Sequence, residues 1–408
     1  MHFRTLFFLL PITLAVSRLQ AETGVIITLT TTANRVRSDN PDLAAARLRV
    51  NEALGRMTQS GRLANPTLET EIEHDPRYRQ RKFEIGFSQR FPITDRLRLE
   101  KAVTGTLLKS AEAEVREVER RLIAEAQQAV VVVLAIRQRR KLLTEQSSVA
   151  TELSTFLGDT AKRGEGSALD AGLAKLETAS LAVEMRQLDA AEVAAAGKLK
   201  PLLGLPPGGI VHVGGELAAP VVPNAGVDPS RRPDFQVAKL DAFAAGQGVA
   251  LEQAKRYDDI EAGLFAAAER SEDVPEGYDK EALVGLRFKI PLPLWDKNEG
   301  GIEEARAKQE RKKLEAAALA RSIRLEAEVT RSEMEEWAKL VQEIGGTLLP
   351  QADEQARVSD EAFRKGQGDI QTVFRSREKR LQLAGARLDA LREFHLARVR
   401  HHAALGQP

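Results

Sequence analysis

Cysteine is absent from the 408 residues, which excludes disulfides, thiolate metal centres, cysteine nucleophiles and a lipidated N-terminal cysteine. Aromatic residues are scarce at 5%, few for a large globular core. Neither sign of charge is in surplus: 60 Lys and Arg stand against 59 Asp and Glu, whereas a nucleic-acid binder carries a basic excess. Beyond the N-terminus no apolar run reaches the length of a membrane-spanning helix. What is abundant is Ala, Leu, Glu, Lys and Arg, with 43% hydrophobic and 29% charged residues, a composition that favours long helices over compact α/β domains.

The N-terminus has its own logic. A basic Arg4, an apolar stretch from Leu6 to Val16 and a small Ala21 before Glu22 follow the order of a secretory signal peptide over residues 1–21. The apolar stretch is too short to span a bilayer. Export beyond a bacterial inner membrane is therefore expected.

The rest of the chain reads as if written twice. Asn40-Pro41-Asp42-Leu43 opens an Ala/Arg-rich helical stretch, and Arg232-Pro233-Asp234-Phe235 opens a similar one. Each is followed by two short segments of strand-like alternation, then a very long helical pattern. Each long pattern ends in a matched turn, Gly164-Glu165-Gly166-Ser167 and Gly366-Gln367-Gly368-Asp369. The expected organisation is a first repeat over 22–203, with a hairpin at 65–91, a long helix at 95–163 and a return helix at 167–203. A Gly/Pro-rich linker follows over 204–232. The second repeat covers 233–408, with a hairpin at 259–292, a long helix at 297–365 and a return helix at 369–404. No Gly or Pro occurs from Thr106 to Leu157 or from Ile302 to Ile344. In the first long pattern Leu99, Val103, Leu107, Ala111, Val115, Val118, Leu122, Ala126, Ala129, Val133 and Ile136 form a narrow stripe suited to coiled-coil packing. About 70 residues at about 1.5 Å each give a rod near 100 Å. In each half the return helix and the opening helix, stacked end to end, match the rod beside them.

In the hairpins the period is two. Leu68, Thr70 and Ile72 alternate with Glu69, Glu71 and Glu73; Phe83, Ile85 and Phe87 alternate with Glu84, Gly86 and Ser88. In the second half Ile260, Ala262 and Leu264 alternate with Glu261, Gly263 and Phe265, and Val284, Leu286, Phe288 and Ile290 with Gly285, Arg287 and Lys289. One apolar and one polar face fit a membrane β-barrel with a wet lumen. Phe91, Trp295, Tyr78 and Tyr278 fall near strand ends, where an aromatic girdle sits. A small soluble sheet capping the helices is the competing reading. Four strands cannot close a barrel, and an open edge is not tolerated in lipid, so several chains must contribute. The lumen-facing candidates are then Glu69, Glu71, Glu73, Glu84, Glu261, Arg287 and Lys289, whose carboxylates favour cations and whose bases offset them.

Enzyme chemistry finds no foothold. There is no Gly-x-x-x-x-Gly-Lys-Ser/Thr loop, His-Glu-x-x-His or strand-embedded Gly-x-Ser-x-Gly, and Gly246-Gln247-Gly248 lacks a third glycine. His395 and His402 share a helix face, but with no third ligand near both they are expected at a solvated helix end rather than on a metal. No catalytic residue, metal or cofactor is expected.

These pieces together resemble the TolC family of outer-membrane efflux proteins over nearly the whole chain past the leader. The resemblance rests on Ile27-Thr28-Leu29 leading to Asn40-Pro41-Asp42-Leu43, on the paired hairpins, on Pro201-Leu202-Leu203-Gly204-Leu205, and on Leu348-Leu349-Pro350-Gln351-Ala352. The stretch Ile290-Pro291-Leu292-Pro293-Leu294-Trp295-Asp296-Lys297-Asn298-Glu299-Gly300-Gly301-Ile302 is similar to the heavy-metal cation (CzcC-type) subgroup, which more often has Phe and Arg where Trp295 and Lys297 stand. The resemblance implies a homotrimer with a twelve-stranded outer-membrane barrel and a helical periplasmic tunnel. It also implies a periplasmic adaptor docked on the tips (Gly164, Gly166, Ser167, Leu169, Gly366, Gly368, Asp369 and Ile370) and an inner-membrane RND-type, proton-driven transporter. A periplasmic scaffold or adaptor without a pore, or a channel of this family for drugs or other small molecules, are the alternatives.

Overall fold

The structure is a computed structural model that describes residues 25–223, 226–273 and 277–407. The expected leader (1–21), positions 224–225 of the linker, the loop tip at 274–276 and the Tyr278 side chain lie outside the described residues. The chain is mainly helical with a small sheet part. In order come β1 (Val25–Ile27), α1 (Thr32–Asp39), α2 (Pro41–Gln59), β2 (Thr67–His74), β3 (Arg81–Phe91), α3 (Arg96–Lys162) and α4 (Ala168–Leu202). Then follow β4 (Val211–Val213), α5 (Pro233–Ala254), β5 (Ile260–Asp273), β6 (Gly277–Lys289), α6 (Glu299–Glu343), α7 (Leu349–Arg364) and α8 (Ile370–Ala404). The 67 residues of α3 make a single rod of about 100 Å.

Its counterpart is not one helix. Between α6 and α7 the backbone widens into a π turn at Ile344–Leu348, where the Leu349 N–H bonds to the Ile344 carbonyl five residues back. The expected continuous helix over 297–365 is therefore corrected, for a local reason. Pro350 has no N–H, and in a regular α-helix its ring would press on the carbonyl of Gly346. A wider turn, helped by two glycines, relieves both problems. A Cβ on Gly345 would lie 2.7 Å from the Arg387 side chain of α8, so the glycine also admits that close neighbour.

The composite helices are stapled at the Pro-Asp motifs. Asn40 caps α2 by accepting from the Leu43 N–H at 2.9 Å, and its amide donates to the Leu202 carbonyl at the end of α4, also at 2.9 Å. Gly204 turns the chain at φ +65° where a Cβ would strike the Asp39 carbonyl. The second joint is built alike: Gly406, at φ +72°, lies where a Cβ would sit 2.9 Å from the Arg231 carbonyl. Arg232 is buried there between Asp234 (2.6 Å) and Glu326 (2.5 Å). Burial opposes its charge, but the two carboxylates outweigh that cost and push its pKa up.

The core gathers around the middle of α3. Ile123, Val130, Val131, Val133 and Leu134 pack with Leu199, Leu203, Val341 and Leu391. This corrects the narrow-stripe expectation: Leu107, on the stripe, is 44% exposed, whereas Ile123 and Val130, off it, are fully buried. Helices α1, α4 and α8 all pack on α3, so that stretch is covered from more than one side. The linker supplies another layer. Its Val211–Val213 pairs in parallel with Val25–Ile27, Leu217 joins the core, and Arg137 donates to the Val213 carbonyl. Its glycines and prolines read as a flexible tether, yet its apolar residues anchor it.

The larger sheet has the order β2-β3-β5-β6, antiparallel throughout. Both strand-to-helix junctions dock on the end of α5. Thr94 donates to the Ala254 carbonyl at 3.2 Å, and the Arg96 guanidinium bonds Asp259 at 2.7 Å. On the other side Asn298, left-handed at φ 52°, donates to the Glu252 carbonyl at 2.8 Å. A Cβ on Gly301 would collide with the Asn298 side chain, which explains the glycine at that position.

The joint yields a prediction. Gly204→Ala puts a Cβ on a left-handed residue against backbone and should cost about 1–3 kcal/mol or more. Gly172→Ala, inside α4 with open space around it, should be neutral or stabilising by about 0.5–1 kcal/mol. Thermal melting of the two purified variants in parallel checks this; equal melting temperatures would show that Gly204 does not govern the joint.

Candidate conduit wall and helical tips

Register assigns the two faces of the sheet. Leu68 lies opposite Phe87, Phe87 opposite Leu264, and Leu264 opposite Leu286, which makes one apolar row across four strands. Thr70, Ile85, Ala266 and Val284 form the next row, and Ile72, Phe83, Ala268 and Ala282 the one after. These side chains are exposed, Val284 at 84%. The other face carries the polar residues and is more covered: Glu84 is only 4% exposed.

All seven candidates, Glu69, Glu71, Glu73, Glu84, Glu261, Arg287 and Lys289, share that covered face by register. They are wired together. Arg287 reaches across β5 to Glu84 at 2.5 Å and approaches Glu69 at 3.8 Å. The reach is possible because Gly263 stands opposite Arg287 and leaves the way clear. Its guanidinium lies 5.0 Å from the Phe265 ring, and that ring fills the space where Gly285 has no Cβ. Lys82 pairs with Glu84 at 3.1 Å and Glu71 at 3.7 Å, and Arg90 with Glu261 at 3.2 Å. The sequence reading missed Lys82, Arg90, Glu269 and Glu281, which lie on the same face. Glu269 and Glu281 were hidden by the apolar runs at 265–268 and 282–284, which interrupt the alternation in the middle of the 14-residue β5 and 13-residue β6.

At the far end of the helices stand the two turns. Gly164 and Gly366 take left-handed φ of 78° and 70°. Around each, paired backbone bonds close the helix: Gly164 and Glu165 N–H to the Ala161 and Thr160 carbonyls, and Gly366 and Gln367 N–H to Phe363 and Ala362. This is the Schellman arrangement. Gly166 and Gly368 do not have positive φ. Gly166 is small because a Cβ would lie 2.9 Å from the Thr160 hydroxyl, while Gly368 has a looser limit of 3.3 Å. Ser167 caps α4 through the Asp170 N–H at 3.3 Å, and Asp369 caps α8 through the Thr372 N–H at 2.7 Å. That backbone donor holds the Asp369 carboxylate below its usual range. Leu169 is 70% exposed, but Ile370 is buried with Leu157, Ala174 and Val373, where it joins the two hairpin ends instead of facing outward.

With this geometry the chain is similar in fold to CusC, at 15% identity over 93% of this chain and 92% of that one, with a TM-score of 0.77. It is also similar to the outer membrane protein VceC of Vibrio cholerae, at 16% identity over 93% and 96%, with a TM-score of 0.74. The fold is that of the TolC family of outer-membrane channels. In sequence, the cobalt-zinc-cadmium resistance protein CzcC of Cupriavidus metallidurans is 23% identical over 395 residues, covering 93% of this chain and 87% of that protein. No family model matches the chain. The proteins of this TolC-type set are channels and efflux proteins, not enzymes.

One expectation is overturned. His395 is not at a solvated end but buried, at 1% exposure, and His402 is half-buried; His401 beside it is buried too, also at 1%. His395 Nε2 bonds the Ala218 carbonyl of the linker at 2.9 Å, and Thr330 meets His401 Nδ1 at 3.1 Å. α8 is sandwiched between α3, α6 and the linker, so its end is interior. Burial holds His395, His401 and the neighbouring His402 below the usual histidine range.

Two predictions follow from these observations. Gly164→Val and Gly366→Val should strain the turns by about 1–3 kcal/mol each and raise protease cleavage near the tips, leaving the sheet end intact; unchanged cleavage would mean the turns tolerate a β-branched residue. Second, burial disfavours the charged form of His395, His401 and His402 in the folded chain, whereas in the unfolded chain they take up protons near pH 6.5. Their contribution is therefore complete above that pH and is lost as pH falls below it toward their depressed folded values. The melting temperature in detergent should decline from pH 7.5 to 5.5, and less steeply in His395→Gln/His401→Gln. Parallel curves for both proteins would remove the histidines from the account.

Proposed function

We propose that the chain is the outer-membrane channel of a tripartite efflux pump and passively conducts heavy-metal cations to the exterior. The observation that carries this reading is the sheet: four amphipathic strands with two open edges and an apolar outer face, mounted on helices about 100 Å long. Three copies would close a twelve-stranded barrel by pairing β6 of one with β2 of the next, and open edges in lipid require such closure. The two halves, built in the same element order, derive from an internal duplication. The wired polar face lines the lumen, and its excess of carboxylates raises the local cation concentration. Kinship with a cobalt-zinc-cadmium resistance protein supports the cation cargo. The tips, with Gly164, Gly166, Ser167, Leu169, Gly366, Gly368 and Asp369 around them, receive a periplasmic adaptor, and an RND-type transporter in the inner membrane supplies the energy. Ile370 serves there from inside, by fixing the tips to each other.

The test joins cells and bilayers. Cells carrying the chain with its pump should hold less zinc, cobalt and cadmium than cells lacking it. In planar bilayers, Glu69→Gln/Glu71→Gln/Glu73→Gln should leave a trimeric channel with reduced cation preference and weaker salt dependence of that preference. Equal metal content in the two strains would refute the cargo. An unchanged reversal potential in a salt gradient would remove these carboxylates from the conducting path.

A further inference from the structure

The two open edges of the sheet carry opposite charge on their polar face. On β2 that face presents Glu69, Glu71 and Glu73, and on the part of β6 nearest the helices it presents Arg287 and Lys289. Lys289 is exposed, and it shares a cleft with Arg90, Arg96 and Lys255 against three carboxylates. Two of those are held by other bases: Glu261, opposite Lys289 on β5, by Arg90 at 3.2 Å, and Asp259 by Arg96 at 2.7 Å. Glu69, at the other edge, approaches Arg287 of its own chain only to 3.8 Å. A surplus base thus stands on one edge and a loosely held acid on the other, with two strands between them.

Closure limits how such edges can meet. Within one chain Glu69, Gly86, Phe265 and Gly285 form a level row. Around a closed barrel a row does not return to its start but climbs, and the climb sets the strand tilt. For twelve strands spaced about 4.8 Å apart with about 3.3 Å per residue, climbs of zero, two, four or six residues per copy give tilts of about 0°, 19°, 35° or 46°. Membrane barrels tilt by about 35–45°, which leaves four or six. Charge excludes the same registers: a climb of zero puts Glu281 against the next copy's Glu73, and a climb of two leaves Lys289 opposite Thr67. A climb of four sets Lys289 against Glu69 and Arg287 against Glu71, and pairs 284–289 with 69–74. A climb of six shortens that overlap to four residue pairs, because β6 ends at Lys289 and β2 at His74.

The sense of the climb agrees as well. The Glu272 N–H bonds the Arg79 carbonyl, so the outward residues of β3 aim their backbone groups at β5. For L-residues on a strand running away from the loops, this puts β5 to the left of β3 seen from outside. In the right-handed coil of a twisted sheet, a row moving left rises toward the loops. The rise carries Gly285 past the level of Glu69 and toward Glu73, as the charges require.

We propose that β6 of one copy meets β2 of the next in this register, with Lys289 paired to the next copy's Glu69 and Arg287 to its Glu71. The inference rests on the reading that three copies close a barrel around the polar face. Edge hydrogen bonds hold the seam, and the unlike charges opposite one another select its register.

The test uses the full-length protein in its native membranes. Thr70→Cys is combined in turn with Val284→Cys, Leu286→Cys, Phe288→Cys and Ile290→Cys, which report climbs of zero, two, four and six. Oxidation should link the Phe288→Cys combination fastest and carry it to a covalent trimer. Charge reversal supplies the second arm. Lys289→Glu alone and Glu69→Lys alone should shift dissociation of the trimer in dodecyl sulfate to lower temperature, and the two together should shift it back. Within one chain these side chains stand on opposite edges of the sheet, so recovery reports a contact between copies. A trimer linked fastest through another combination, or a double reversal no better than the single ones, would overturn the register and leave the barrel standing. Failure of the barrel reading looks different: every combination stays monomeric and the wild type is soluble without detergent, which rejects the register with it.

Discussion

Everything in this chain answers to one constraint: a four-stranded sheet with an apolar outer face and, among the described residues, no partner for either edge strand. In water that face would be a liability, and in lipid the unpaired backbone groups of β2 and β6 would cost several kcal/mol each. Neither condition is met by a lone chain. The proposed closure with further copies would satisfy both at once, because the edges would pair and the apolar face would meet acyl chains. The small residues Gly86, Gly263 and Gly285 on the inner face serve the same end, leaving room for Arg287 to cross a strand and for Phe265 to lie flat against the wall.

The helices transmit that constraint over distance. The proposed closure would require the sheet to be held at a defined angle, and clamps at its base hold it: Thr94 and Arg96 on one side, Asn298 on the other, all tied to the end of α5 and the residues just after it. Below, the stapled joints at Asn40 with Gly204 and at Arg232 with Gly406 let two shorter helices act as one beside each rod. The helical wall can therefore continue the strand wall without long unsupported loops.

Much of this was legible in the residues. Period-two alternation found all four strands, but it stopped at Phe265 and resumed at Val284 where β5 runs on to Asp273 and β6 starts at Gly277; the absence of Gly and Pro from Thr106 to Leu157 announced the rod. What escaped had identifiable causes. The π turn at Ile344–Leu348 depends on how one proline meets a carbonyl four residues earlier, a clash that helix periodicity does not register. The burial of His395 depends on a linker whose composition argued for exposure, yet whose Val213 and Leu217 are core residues, and that of His401 on Thr330 of α6. Ile370, next to an N-cap at the tip, read as presented to a partner, but it faces the neighbouring hairpin. The π turn is local, whereas for His395 and Ile370 the deciding contact comes from a segment remote in sequence. The polar candidates Glu69 to Lys289 were found because alternation alone fixes their face; their pairing was not, because Arg287 reaches Glu84 two strands away.

Cysteine cross-linking across the open edges tests the central claim most directly, since the chain has no cysteine of its own. An Ile72→Cys on β2 is combined in turn with Ala282→Cys, Val284→Cys or Leu286→Cys on β6, and the protein is oxidised in its native membranes. Within one chain these edges are separated by two intervening strands, roughly 14 Å, too far for a disulfide. Neighbour pairing predicts that at least one combination yields a ladder that stops at three chains. Monomers in every combination, or a ladder that continues past three, would contradict the closed trimer.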